Sequence, residues 1–159
     1  MKKFLLILVF ALGCLGAEAQ ETLTWHTDMN EAMKVADKTK KPLFLFFTGS
    51  DWCGWCKRLQ KEVFVTPEFT EWAKKNVVLV ELDFPRRVAQ TPEVKQQNAQ
   101  IGQAFSVRGY PTVWITKAAK GKDGKVNFTP LGNTGYVAGG PTAWLDVANK
   151  ILATTPPKK

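Results

Sequence analysis

The sequence predicts an α/β protein folded as one domain, and three observations carry that expectation. Short apolar runs suited to strands alternate with stretches whose apolar residues recur at helical spacing. One of those runs, 42–47, is apolar throughout, and another, 77–82, is nearly all apolar, as expected for a strand covered on both faces. With an N-terminal segment set aside, the chain keeps about 140 residues, which suits one domain around one core.

That N-terminal segment reads as an export signal. Lys2 and Lys3 give it a basic start, and Phe4 to Leu12 form an apolar core too short to span a bilayer as a mature helix. Ala17-Glu18-Ala19 matches the small-x-small pattern of a cleavage site, so residues 1–19 are expected to be removed and the domain to run from 20 to 159. Ala11-Leu12-Gly13-Cys14 also resembles a lipoprotein signal with Cys14 acylated, a second processing route, but the residues two and three before the cysteine are atypical, so cleavage after Ala19 leads. Either route exports the protein, and a periplasmic location is expected.

Within the domain, Thr22 to Trp25 is a short strand candidate. Thr27 or Asp28 caps a helix to about Lys38, with Met29, Ala32, Met33 and Ala36 on its apolar face. The apolar strand 42–47 follows, then the turn Thr48-Gly49-Ser50-Asp51 and a helix-forming stretch through Val63. Pro67 opens a shorter helix with Phe69, Trp72 and Ala73 facing inward, and Val77 to Leu82 is the next strand. A polar loop from Phe84 to Thr91 leads to a helix from Glu93 to Phe105. Val113-Trp114-Ile115 and Val126 to Leu131, joined by the turn from Gly121 to Gly124, form a hairpin. Thr142 to Ala153 is a closing helix, and the chain ends in a frayed tail from Pro156. Trp25, Trp72, Trp114 and Trp144 read as core residues.

The chemistry centres on Trp52-Cys53-Gly54-Trp55-Cys56-Lys57. Strand, turn and helix in that order put Cys53 at a helix N-terminus and Cys56 one turn further in. Unpaired N–H groups and the helix dipole there favour a thiolate, which lowers a cysteine pKa from about 8.5 to roughly 3.5–7.5. A thiolate with a second thiol close by suits dithiol–disulfide exchange. Three other uses fit less well. As a staple, so short a ring removes only about 2 kcal/mol of unfolded-state entropy, against about 3 for a 15-residue loop. Zinc needs two further ligands, and His26 is the one histidine in the sequence. Covalent haem needs a histidine at position 57, where Lys57 stands. No metal site is expected.

The net charge is +8, falling to +7 when Lys2, Lys3 and Glu18 leave with residues 1–19. The excess is spread along the chain, as on a solvated surface, and only a weak pull toward acidic partners or anionic membranes follows from it. No nucleic-acid motif accompanies it.

The order of strands and helices, with Cys-x-x-Cys after the second strand and Gly109-Tyr110-Pro111-Thr112 before the fourth, resembles the thioredoxin superfamily over the whole mature chain. Trp52 before the pair, Lys57 after it and Tyr110-Pro111 downstream sharpen the resemblance. Phe47-Thr48-Gly49-Ser50-Asp51-Trp52, Asp83-Phe84-Pro85-Arg86-Arg87 and Gly135-Tyr136 with Gly139-Gly140-Pro141 look like exported bacterial thioredoxin-like proteins with a Cys-Gly-Trp-Cys motif. The resemblance implies a thioredoxin fold, a central mixed β-sheet flanked by helices. It implies Cys53 as the attacking cysteine, Cys56 as the resolving one and Pro111 as a cis-proline beside them. Trp52, Gly54, Trp55 and Tyr110 would form the substrate surface, with the Tyr110 backbone pairing to an extended segment.

Two departures matter. Thioredoxin carries a buried aspartate six residues before its first cysteine, where this chain has Phe47, and a proline between the cysteines, where this chain has Trp55. Glu81, the one charged residue in the strand 77–82, is the candidate replacement as proton acceptor for Cys56. The expected function is an exported thiol–disulfide oxidoreductase, a monomer without cofactor, that reduces protein disulfides and draws electrons from a membrane-bound thiol donor. The alternatives are an oxidase or isomerase using the same residues, and a non-catalytic module that binds unfolded chains.

Overall fold

The computed structural model describes residues 22–122 and 124–154. The predicted signal with Ala19 and Cys14, and the tail from Pro156, lie outside the described residues.

Five strands form one mixed sheet in the order β1-β3-β2-β4-β5. They are β1 (Trp25–His26), β2 (Leu43–Thr48), β3 (Val78–Asp83), β4 (Thr112–Lys120) and β5 (Val126–Thr134). β1, β3 and β2 run parallel, while β4 is antiparallel to both β2 and β5. β2 and β3 have partners on both sides, and all six residues of β2 are buried. This is the thioredoxin fold.

The first strand is shorter and later than the predicted Thr22 to Trp25. Only Trp25 and His26 find partners, Leu79 and Val80 of β3, so residues 22–24 stay outside the sheet.

The helices start where capping chemistry starts them. The Asp28 carboxylate accepts the N–H groups of Asn30 and Glu31 and opens α1 (Met29–Thr39). Thr66 caps α3 (Pro67–Asn76) and Thr91 caps α4 (Pro92–Ala104), each with proline in the first turn. α2 (Gly54–Leu59) runs on as a π-helical turn, Gln60–Phe64, which the sequence pattern does not announce. Its wider loop is closed by Val65 N–H donating to the Gln60 carbonyl, and it buries Val63 and Phe64 side by side. The last helix is α5 (Gly140–Ala153).

Strand alternation sends successive side chains to opposite faces, so two cores form. On one face α1 and α4 cover Leu43, Leu45, Phe47, Val80 and Leu82. On the other, α2, α3 and α5 cover Phe44, Phe46, Leu79, Val113 and Ile115, and this core holds both cysteines. Trp144 anchors the second core: it is fully buried, with the rings of Phe44, Phe64, Phe69 and Trp72 5.5–6.3 Å away. Truncating a residue so placed costs about 3–5 kcal/mol. Trp72 is buried too, whereas Trp25 and Trp114 are half-buried, packed against the margins of the cores.

Candidate active site

Cys53 and Cys56 are joined as a disulfide, with Cα atoms 5.3 Å apart. Cys53 is the N-cap of α2: its backbone is extended (φ −85°, ψ 100°), and its Sγ accepts the Cys56 N–H at 3.1 Å. Cys53 N–H in turn donates to the Gly49 carbonyl at 2.8 Å, which fixes the approach to the helix. Both cysteines are buried, Cys53 at 5% exposure and Cys56 at none. Gly54 and Trp55 between them face solvent, with Trp55 54% exposed.

The turn before Cys53 is held by two carboxylates. Asp83, at the end of β3, accepts the Ser50 N–H and O–H at 2.8 and 2.6 Å. Asp51 reaches the other way and accepts the N–H groups of Arg86, Arg87 and Val88. Desolvation pushes the Asp51 carboxyl up, but these backbone donors together outweigh it, and its pKa falls below the usual value. Trp52 completes the link: its indole N–H donates to the Phe84 carbonyl at 2.8 Å, and the Arg86 guanidinium lies 4.0 Å over its ring. Glycine at 49 is required by this packing, since a Cβ there would sit 2.4 Å from the Trp52 ring.

Tyr110 stands edge-on to Trp52 at 5.5 Å and is tilted against Phe84 at 5.3 Å. The Tyr110–Pro111 peptide bond is cis. The chain entering α5 passes close behind it, so that a Cβ on Gly135 would lie 3.2 Å from the Pro111 carbonyl oxygen.

On the other flank, Trp55 packs against Tyr136 with ring centroids 5.1 Å apart, and Arg58 lies over both rings. Arg58 pairs with Glu62 at 2.7 Å, and the Tyr136 hydroxyl donates to the other Glu62 oxygen. The Tyr136 bond first, then Arg58, holds the Glu62 carboxyl below its usual range. The Arg58–Glu62 spacing of four residues is visible in the sequence. Tyr136, 74 residues from Glu62, is not. Asp51, Asp83 and Arg86 also escape a reading by local pattern, because their bonds join stretches 32–37 residues apart.

Glu81 lies on the cysteine-bearing face, beside Phe46 across the β2–β3 pair. It lines a small cavity of about 120 Å³ with Trp25, Phe46, Gln60 and Phe64. Gln60 follows Cys56 by four residues, about one helical turn. Burial first, and then the Asp83 charge, raises the Glu81 carboxyl above the usual carboxylate range. Phe47 is fully buried on the opposite face, against Phe84 and Phe105. Among the described residues no group of three or more His, Cys, Asp or Glu side chains is placed to hold a metal ion.

A disulfide between helix N-cap and first turn, at the end of a central parallel strand and beside an X-Pro turn, defines a thioredoxin-fold redox protein. Comparison with known proteins agrees: residues 29–130 match the thioredoxin-like domain family, and the chain belongs to it. It is similar to the disulfide bond reductase DsbH of Chlamydia pneumoniae, 33% identical over 120 residues that cover 76% of this chain and 72% of that protein. The thioredoxin-related protein DsbJ of the same organism is 32% identical over 114 residues, 69% of this chain but 33% of the longer relative. A solved structure titled DsbH oxidoreductase superposes with a TM-score of 0.72 at 31% identity, covering 84% of this chain and 86% of that one. The protein is a thiol–disulfide oxidoreductase.

Proposed function

We propose that this oxidoreductase is exported, reduces disulfides in proteins, and does so with Cys53 as nucleophile and Cys56 as resolving thiol. The observation that carries the assignment is the N-cap position of Cys53, whose Sγ accepts the Cys56 N–H. In the dithiol state that donor and the helix dipole favour the Cys53 thiolate. Cys53 attacks one sulfur of the substrate disulfide; a new S–S bond forms and the other substrate sulfur leaves as thiolate. Cys56 then loses its proton and attacks Cys53 Sγ, which releases the second substrate thiol. Two electrons have passed from the enzyme dithiol to the substrate, and the Cys53–Cys56 disulfide remains. Glu81 is the proposed acceptor of the Cys56 proton. The cavity it lines is large enough for water to carry that proton.

Trp55 and Tyr110 form the apolar part of the proposed docking surface beside Gly54. Pro111 is proposed to border the disulfide, and the Tyr110 backbone to take an extended substrate segment. Trp52 contributes from below, since Arg86 covers one face of its ring.

The reductive direction is favoured by the similarity to a protein named as a disulfide bond reductase. Potentials for this chemistry run from about −270 to −120 mV, and the Cys53–Cys56 couple, equilibrated with glutathione, should fall near the reducing end. A value near the oxidising end would assign an oxidase instead. A membrane-bound thiol relay is the expected electron donor for a monomeric enzyme outside the cytoplasm. For export itself, the mature chain should begin at Gln20, which intact mass reads directly. A diacylglycerol-modified chain beginning at Cys14 would make it a membrane-anchored lipoprotein. Among the described residues no helix is long and apolar enough to cross a membrane.

A further inference from the structure

One tryptophan precedes the cysteine pair and another lies between the two cysteines, and each carries a guanidinium: Arg86 over Trp52, Arg58 over Trp55. The charges around them differ in what they have left to offer. Asp51 is engaged by three backbone N–H groups, Asp83 by Ser50, and Glu62 by Arg58 and Tyr136. Every one of these carboxylates already serves a donor of the protein itself. The cations are in another position. Arg86, Arg87 and Lys57 are exposed, and among the described residues none of them is ion-paired with a carboxylate. Lys57 reaches only the Asp51 carbonyl oxygen, at 3.3 Å. The Asp51 clamp places Arg86 and Arg87 on the rim of the turn that carries Cys53. Three cations without a carboxylate partner thus stand beside the turn that leads into the disulfide, next to carboxylates whose oxygens are already hydrogen-bonded within the protein.

We propose that this rim selects acidic polypeptide segments, so that the disulfides exchanged at Cys53 are those flanked by Asp or Glu side chains, which Arg86 and Arg87 recognise. The inference rests on the reading that Cys53 exchanges with protein disulfides. An anionic bilayer has the same sign of charge, but here the cations stand beside the turn that leads into a redox disulfide, and a polypeptide partner brings the second pair of sulfurs that exchange requires.

The test uses the purified protein in its dithiol form and three otherwise identical peptides, each with one disulfide flanked by Asp, Ser or Lys. At low ionic strength the Asp peptide should react about tenfold faster than the Lys peptide, as charge-steered encounters do. The difference should shrink in 0.5 M salt, where the screening length drops to a few ångströms. In R86Q/R87Q the Asp-to-Lys ratio should fall to within about twofold, whereas loss of the Arg86 contact with Trp52 alone would move all three rates together and leave the ratio unchanged. The clamp itself uses backbone N–H groups and survives the change. K34Q, which removes one exposed charge from α1 on the other side of the sheet, should leave the ratio unaltered.

Equal rates for the three peptides, or an effect of K34Q as large as that of the double variant, would overturn the proposal. Arg86-dependent binding to phosphatidylglycerol vesicles, with peptide rates unordered, would reassign the patch to a membrane and also overturn it. If no peptide disulfide reacts at all, the exchange reading fails first and takes this inference with it.

Discussion

Cys53→Ser should lower dithiothreitol-driven insulin reduction by about 10³-fold or more, to the uncatalysed background, as removal of a nucleophile does. A serine hydroxyl at the N-cap keeps the hydrogen bond to the helix, so the fold should persist while the attacking sulfur is gone. Cys56→Ser should behave differently. Attack at Cys53 remains, but the thiol that releases the substrate is missing, so mixed disulfides should accumulate and appear as adducts of substrate mass. In the reduced wild type, Cys53 alone should be alkylated rapidly near neutral pH. Undiminished insulin reduction by Cys53→Ser, or equal alkylation of both thiols, would contradict the assigned roles.

Glu81→Gln should slow the resolution step by about 10²-fold, the order expected when a positioned proton acceptor is lost, and leave Cys53 alkylation nearly unchanged. It should also change stability in a direction that the environment fixes. Burial and the neighbouring Asp83 raise the Glu81 carboxyl in the folded protein, so the folded state favours its neutral form. Below the unfolded-state pKa both states are protonated and the carboxyl costs nothing extra. The cost grows as pH rises from the unfolded toward the raised folded value, and is complete above it. Glutamine never carries that charge. Glu81→Gln should therefore melt above wild type at neutral and alkaline pH, with the two curves converging in acid. A resolution rate that stays at the wild-type value between about pH 5 and 9 removes Glu81 from the mechanism.

What the sequence made legible was whatever local chemistry writes down. Asp28, Thr66 and Thr91 cap the helices, Pro67 and Pro92 open two of them, and the apolar run 42–47 is a central strand. The spacing of Cys53 and Cys56 marks the disulfide, because the helix N-terminus that Cys53 caps is a neighbour in the chain. The π-helical turn left no such trace: Leu59, Val63 and Phe64 fit an ordinary α-helical face, and only packing against Trp25 and Phe69 settles the extra residue. The strand shift at Trp25 has the same origin, since pairing with β3 decides it. Phe84 to Thr91 reads as a polar loop, and nothing local in it shows that three of its N–H groups are bound by Asp51. Nor does any pattern tie Tyr136 to the rim, since its partners lie more than 70 residues away.

The cross-bonding of the Cys53 turn to the segment after β3 bears on how the site could be moved between scaffolds. Residues 49–56 grafted alone into another thioredoxin-like protein would bring an Asp51 with no N–H groups to receive and a Trp52 with no carbonyl to meet. The indole would swing away from Gly49, and the loop would relax around a bare Cys-x-x-Cys. The smallest portable unit is discontinuous, 49–58 together with 83–88. Chimeras cut between the two pieces should inherit the motif without its geometry.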